Sequence, residues 1–287
     1  MALHFPPATA DSTHTGCPEY RYFRANPISG ALGVEIDGIN LGRELNDEVL
    51  EELYSALLNH LVLFFRKQEL SPRQLTRFGR QFGELHINPF GEGHHDASEV
   101  MLVRSQDNEE LRFAGKWHSD ISWDKFPAMG SVLYAVTVPR FGGDTLFSNM
   151  YLACEALSPP MRAMLKQLNA EHTVDKSKFG GARFGNSFDD SVSHPMLRTH
   201  PDTKRLALYV NEYFTCAIEG MSESESSAVL NFLFVHLTRP DFCCRFRWEP
   251  GSVAFWDNRV TQHYATNDYP GGDRLMHRVT IIGDRPY

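Results

Sequence analysis

The sequence predicts a mainly β protein, a sandwich or barrel with helices packed outside, and three observations carry that prediction. Short strand-like runs recur along the chain, only a few helix starts are legible, and the two kinds of element do not alternate regularly. A doubly wound parallel sheet needs that alternation. Residues 1–20, rich in Pro, Thr and His and without a period, read as a loose N-terminal arm, which leaves 21–287 as a single domain. Gly33 to Ile39 alternates apolar and polar residues like a strand. Asn46 to His60 carries Val49, Leu50, Leu53, Leu57 and Leu58 at helical spacing, with Asp47 and Glu48 favourable in the first turn. Leu61 to Phe65 reads as a buried strand. Ser71-Pro72-Arg73-Gln74 starts a helix that should run to about Phe82, with serine at the N-cap, proline at the first position and glutamine at the third. Ser158-Pro159 and Ser222 with Glu225 start two more. Further strand-like runs are Ser131–Val136, Thr145–Ser148, Leu206–Val210, Ser252–Trp256 and Arg278–Ile282. Two glycine-rich polar stretches, Gly91 to Asp96 and Lys176 to Asp190, read equally as surface connections or as lids.

Composition narrows the function classes. Lys plus Arg is 28 against 36 Asp plus Glu, a formal charge of −8, which disfavours a broad grip on nucleic acid and leans towards a small-molecule partner. Five cysteines, at 17, 154, 216, 243 and 244, form no C-x-x-C pair, so neither a disulfide framework nor a thiolate zinc site is expected and a reducing cytoplasm fits. No secretory signal is visible, and no apolar run approaches the roughly 18–20 residues that span a bilayer.

Chemistry concentrates in Trp117-His118-Ser119-Asp120. In an extended segment residues i and i+2 share a face, so His118 and Asp120 can reach one metal ion. His263 lies far downstream. Two histidines and one carboxylate leave coordination positions open, as suits Fe(II) that must bind O2 and an organic ligand. Alone, H-x-D is a weak motif, and a lone histidine is more often a satisfied structural group than a ligand. Thr145, 25 positions after Asp120, and Arg274, 11 after His263, widen the pattern.

With the blocks Arg80–His86, Trp117–Asp120, Gly142–Thr145, Val210–Glu212, Trp256–Tyr264 and Met276–Arg278, in this order and spacing, the chain resembles the taurine dioxygenase and 2,4-dichlorophenoxyacetate dioxygenase family of Fe(II)/2-oxoglutarate-dependent oxygenases from about residue 27 to the C-terminus. The resemblance implies a double-stranded β-helix, or jelly-roll, core. It implies His118, Asp120 and His263 as both metal and catalytic residues, and Fe(II), 2-oxoglutarate and O2 as cofactor and cosubstrates. It assigns the distal carboxylate of 2-oxoglutarate to Arg274 and Thr145. The expected reaction hydroxylates a small anionic organic substrate, releasing succinate and CO2, with taurine-type sulfonate cleavage as one outcome. The carboxylate at Asp120 favours oxygenation over halogenation, and desaturation stays open. Relatives form dimers or tetramers, so a homo-oligomer is the analogy; no nucleic acid and no membrane partner are expected.

If the segment is a strand, Arg278 shares a face with Arg274, and two buried guanidiniums each need an anion. By resemblance Arg278 meets the substrate's anionic group; the alternative is a salt bridge to a structural carboxylate. Trp123 and Phe214 are expected beside substrate, and Asp257 and Asn258 either orient His263 or cap a turn. His194, His200 and His277 are left structural. The family's taurine-contacting positions are largely changed: Asn88, Gly91 and Ala114 replace other side chains, while Ser177 keeps a serine contact beside Lys178. A larger sulfonate, a sulfate ester, a phosphonate or a carboxylate fits such a pocket. Two rivals use the same residues: a zinc hydrolase with a metal-bound water, and a non-catalytic β-barrel binding protein.

Overall fold

The computed structural model describes residues 18–87, 89, 92–104, 115–174, 191–269 and 274–287. Its framework is two facing antiparallel sheets. The larger orders β1 (Arg24–Pro27), β2 (Val34–Asp37), β3 (Val62–Phe65), β15 (Val253–Asp257), β7 (Ala128–Thr137), β17 (Leu275–Ile282), β6 (Ala97–Arg104) and β5 (Gly93–His94), with β4 (Leu85–His86) also on β17; only β2 and β3 run parallel. The smaller orders β14 (Cys243–Phe246), β8 (Thr145–Asn149) and β16 (Thr261–Ala265). Beside them lie β10 (Val192–Pro195), β9 (Asn169–His172) and β13 (Thr215–Ile218), and the pair β11 (Leu197–Thr199) and β12 (Leu206–Leu208). This is the expected jelly roll.

Alternation along each strand builds two cores. Val62, Phe64, Ala254, Trp256, Leu133, Ala135 and Met276 point from the large sheet towards Phe147, Cys244 and Phe246 of the small one. Phe64 and Phe246 stack across the gap with ring centroids 4.0 Å apart. Leu63, Phe65, Val253, Phe255, Val132 and Val279 point the other way, onto helices α1 (Asp47–His60) and α2 (Pro72–Arg80). The remaining helices are α3 (Met150–Glu155), α4 (Pro159–Leu165) and α5 (Glu223–Leu237).

The local start signals act as read. Asn46 accepts from Val49 N at 3.0 Å, and Ser71 with Gln74 and Ser222 with Glu225 close capping boxes. Other boundaries shift. Leu61 caps α1 in the left-handed region, φ 65°, so β3 begins at Val62. β17 starts at Leu275 because β6 and β7 pair it from both sides, and β12 stops at Leu208. Within the stretch read as a loop, Gly93 and His94 are a strand. The first 17 residues, Gly91 and 175–190 lie outside the described residues. Among those described, no helix is long and apolar enough to cross a membrane.

Candidate metal and oxyanion site

His118 and Asp120 arrive on the segment entering β7, and His263 on β16. An isolated bridge, His118 N to His263 O at 3.1 Å and the reverse at 2.9 Å, clips the two segments together. Asp120 Oδ1 then lies 3.9 Å from His118 Nε2 and 4.0 Å from His263 Nε2, with all three residues buried. At those separations no pair is hydrogen-bonded; the atoms converge on a common point. His118 Nδ1 donates to Lys116 O at 2.9 Å, which leaves its Nε2 lone pair for a ligand role.

Asp120 is held from behind. Its Oδ2 accepts from Ser131 Oγ at 2.7 Å, and Ser131 Oγ accepts from Asn258 Nδ2 at 2.9 Å. Asn258 Oδ1 accepts from Asp120 N at 3.1 Å. Asn258 therefore orients the carboxylate rather than His263. Asp257 does not touch His263 either; it takes Arg259 N at 2.9 Å in the turn after β15, the capping alternative. His263 Nδ1 has no partner among the described residues, and its ring is held by packing against Trp256 at 4.9 Å and His118 at 4.2 Å. Burial lowers both imidazoles, His263 to about 3 with help from neighbouring His118. Burial pushes the Asp120 carboxyl up, but Arg278, His263 and His118 together hold it below the usual range. The donor set is thus two neutral imidazoles and one carboxylate, which fits Fe(II).

Arg278 reaches this cluster directly: Nη1 donates to Asp120 Oδ1 at 2.8 Å and Nη2 to Met101 Sδ at 3.2 Å. Arg274, four residues earlier and entering the same strand, is 9 % exposed, and its Nε has no partner among the described residues. Burial lowers its pKa; among the described residues Tyr269 alone opposes that charge penalty, and no carboxylate does. A buried guanidinium without a counter-charge is costly. Thr145 opens β8 after two left-handed glycines, Gly142 and Gly143; a Cβ on Gly142 would lie 2.7 Å from Asp268 O, so the turn needs glycine there. Thr145 Oγ1 accepts from Trp248 Nε1 at 2.9 Å, which leaves its own hydrogen free to donate.

The apolar wall follows Asp120. Ile121 is β-branched yet left-handed, φ 58°, an unfavourable conformation that its surroundings impose. Ser122 is gripped by His172 Nδ1 at 3.1 Å and Asn211 Nδ2 at 2.9 Å, while His194 Nε2 lies 3.0 Å from both Ser122 O and Asp124 O. Asn211 Oδ1 also accepts from Phe214 N at 2.9 Å. This network seats Ile121, Trp123, Val174 and Phe214 as one cluster, with Phe214 edge-on to His118 at 6.0 Å. Trp123 and Phe214, the two aromatics singled out in the sequence, thus share one cluster next to His118. His194 and His200 are structural, and His277 packs against His94 away from the metal group. Asn88, Ala114, Ser177 and Lys178 lie outside the described residues. Sequence reasoning missed Ser131, Trp248 and the true role of Asn258. Only Ser131 carried a signal, as a polar residue on the inward face of an otherwise apolar strand. A second close group, His94, His95 and Asp96, is largely exposed and bonds within itself.

The family model described as "Taurine catabolism dioxygenase TauD, TfdA family" matches residues 24–280. An alkylsulfatase of Acinetobacter baylyi is 32% identical over 272 residues, 90% of this chain and 84% of that protein. An alpha-ketoglutarate-dependent sulfate ester dioxygenase of Pseudomonas putida is 33% identical over 276 residues, 91% of this chain and 90% of that protein. A crystal structure of a taurine dioxygenase from Burkholderia xenovorans superimposes with a TM-score of 0.83 at 36% identity, covering 93% of each chain.

Proposed function

Because the chain belongs to the taurine catabolism dioxygenase TauD, TfdA family, and is thereby an Fe(II)- and 2-oxoglutarate-dependent dioxygenase, we propose that it oxidises a small sulfate ester or sulfonate with an apolar chain. Membership sets aside the zinc hydrolase and the non-catalytic barrel. In this reading His118 Nε2, His263 Nε2 and Asp120 Oδ1 hold the iron. When bound, Fe(II) supplies activation of O2 coupled to decarboxylation of 2-oxoglutarate to succinate and CO2. Arg274 and Thr145 grip the distal carboxylate of 2-oxoglutarate, the first with its charge and the second with its free hydroxyl hydrogen. Arg278 orients the substrate's anionic group beside the metal ligands, and Ile121, Trp123 and Phe214 cover its chain and exclude water. Hydroxylation of the carbon next to oxygen or sulfur lets the product collapse to an aldehyde with loss of sulfate or sulfite. A reducing cytoplasm accords with the unpaired Cys154, Cys216, Cys243 and Cys244.

The observation that carries the reading is Arg274, a buried cation that no carboxylate among the described residues meets, four residues before Arg278, which already faces the metal group. Fe(II) and 2-oxoglutarate added without air should produce the visible band of their chelate, and Arg274→Ala should lose it at concentrations that saturate the wild type. Succinate release across alkyl sulfates, alkyl sulfonates, phosphonates and aryloxy acids then ranks the substrates. Equal chelate formation in Arg274→Ala would remove the cosubstrate role, and no stimulation by any sulfate or sulfonate would remove the substrate class.

A further inference from the structure

We propose that Arg278 couples the metal to the substrate anion through Asp120, so that each ligand tightens the other. The inference rests on the reading of His118, Asp120 and His263 as iron ligands and of Arg278 as the anion's partner. Arg278 Nη1 donates to Asp120 Oδ1 at 2.8 Å, and that same oxygen faces His118 Nε2 at 3.9 Å and His263 Nε2 at 4.0 Å. The other carboxylate oxygen is committed. Oδ2 accepts from Ser131 Oγ, Ser131 is fixed by Asn258, and Asn258 also holds the Asp120 backbone. The carboxylate cannot turn to offer one oxygen to the guanidinium and the other to the metal.

Two cations therefore meet at one atom. They compete for Oδ1 or, sharing it, repel across a few ångströms in a site where Asp120 is only 4 % exposed and water screens little. An anion on Arg278 relieves both effects, and a metal on Oδ1 frees the guanidinium for an anion. Both routes have the same sign. Arg278 has no second carboxylate among the described residues to retreat to: its other contact is Met101 Sδ, and its Nε is unpartnered. Substrate thus finds Arg278 available chiefly in metal-loaded enzyme, which orders the assembly of the site and favours the metal in the presence of substrate.

Linkage makes the coupling reciprocal and measurable on the wild type alone. Mn(II) binding is followed by the electron paramagnetic resonance signal of the free ion, with and without hexyl sulfate as the anion probe. N-oxalylglycine, a 2-oxoglutarate mimic, is held fixed in both arms so that the Arg274 end is the same. Hexyl sulfate should lower the Mn(II) Kd about tenfold, within the roughly 5–150-fold span usual for coupled sites. Saturating Mn(II) should lower the hexyl sulfate Kd by the same factor. In Arg278→Gln the Mn(II) Kd without hexyl sulfate should already be below the wild-type value and should no longer respond to it. A purely structural Arg278 predicts the opposite, weaker Mn(II) binding in that variant. Wild-type protein that binds both ligands with neither affecting the other overturns the inference while leaving the functional reading intact. No Mn(II) binding, or binding that survives Asp120→Ala unchanged, strikes the metal assignment itself. Mn(II) binding with no hexyl sulfate binding strikes the anion assignment. Either of these takes the inference with it.

Discussion

Asp120 and Asp257 are both buried, both paired to an arginine and both flanked by histidine, two for Asp120 and His200 for Asp257, yet their hydrogen bonds close differently. Around Asp257 everything is spent. Its Oδ1 accepts from Arg259 N and Nε at 2.9 Å each, and its Oδ2 from Arg259 Nη2 at 2.6 Å and His200 Nε2 at 3.1 Å. Arg259 continues to Asp202 Oδ2 at 3.0 Å and Tyr54 OH at 3.3 Å, and His200 Nδ1 accepts from Asp202 N and Thr203 N. Around Asp120 two imidazole Nε2 atoms stop about 4 Å short of the carboxylate, and His263 Nδ1 and Arg278 Nε have no partner among the described residues. The residue types are the same. What marks the functional cluster is the unspent valence, since buried polar groups in a purely structural cluster are satisfied.

Exchanging the insults should separate the two most strongly. Asp120→Ala is expected to reduce substrate-dependent succinate formation by on the order of 10³ or more, beyond the 10–100-fold that removing a ligand's outer partner costs. Asp257→Ala strips the fully buried carboxylate from Arg259, leaving it only the more exposed Asp202, and should destabilise by about 3–5 kcal/mol in urea unfolding. Asp120→Ala should cost clearly less stability, because Arg278 is 13 % exposed in its side chain and keeps access to water, whereas Arg259 is 4 % exposed. Equal losses of stability in the two variants would erase the distinction between site and scaffold.

The same contrast explains what the sequence could and could not disclose. Helix starts were legible because a cap is local chemistry: Ser71 with Gln74 needs nothing beyond four residues. The metal group was legible because His118 and Asp120 are adjacent on one extended face and the family order supplied His263. The role of Asn258 stayed open because its partners, Ser131 and Asp120, are 127 and 138 residues away, a distance no local pattern spans. β16, Thr-Gln-His-Tyr-Ala, was invisible as a strand because it is polar where it lines the site, so hydropathy does not alternate along it. Ile121 gave no warning because its left-handed backbone runs against its own preference and is set, through the neighbouring Ser122, by His172, His194 and Asn211 from other elements.

A smaller test concerns the end of the site built by Thr145. Trp248 Nε1 donates to Thr145 Oγ1, which aims the threonine hydrogen elsewhere. Trp248→Phe keeps most of the packing and removes one hydrogen bond, about 1 kcal/mol. The expected result is a KM for 2-oxoglutarate raised roughly fivefold with kcat little changed, the sign of lost uniform binding. An unchanged KM would detach Thr145 from the cosubstrate and leave Arg274 as its sole anchor.

The smallest expected effect is a flat line. Burial holds His118 and His263 below their ordinary value, His263 to about 3, so protons compete less for their Nε2 atoms in mild acid than they would for free imidazoles. The Mn(II) Kd should change by less than about twofold between pH 7.5 and 6.0, whereas two imidazoles titrating near 6.5 would weaken it about tenfold. Stability should move over the same range. A depressed folded pKa means that below about 6.5 the unfolded chain binds protons the folded one refuses, so stability is lost as pH falls. His172 and His194, the latter lowered to about 4, add to that loss from beside the pocket wall. A melting temperature that drops while metal affinity holds identifies a dry, preset ligand pair inside a scaffold that acid loosens. A metal profile that breaks near 6.5 would mean that water reaches the imidazoles, and the apolar wall of Ile121, Trp123 and Phe214 would then fail to seal the site.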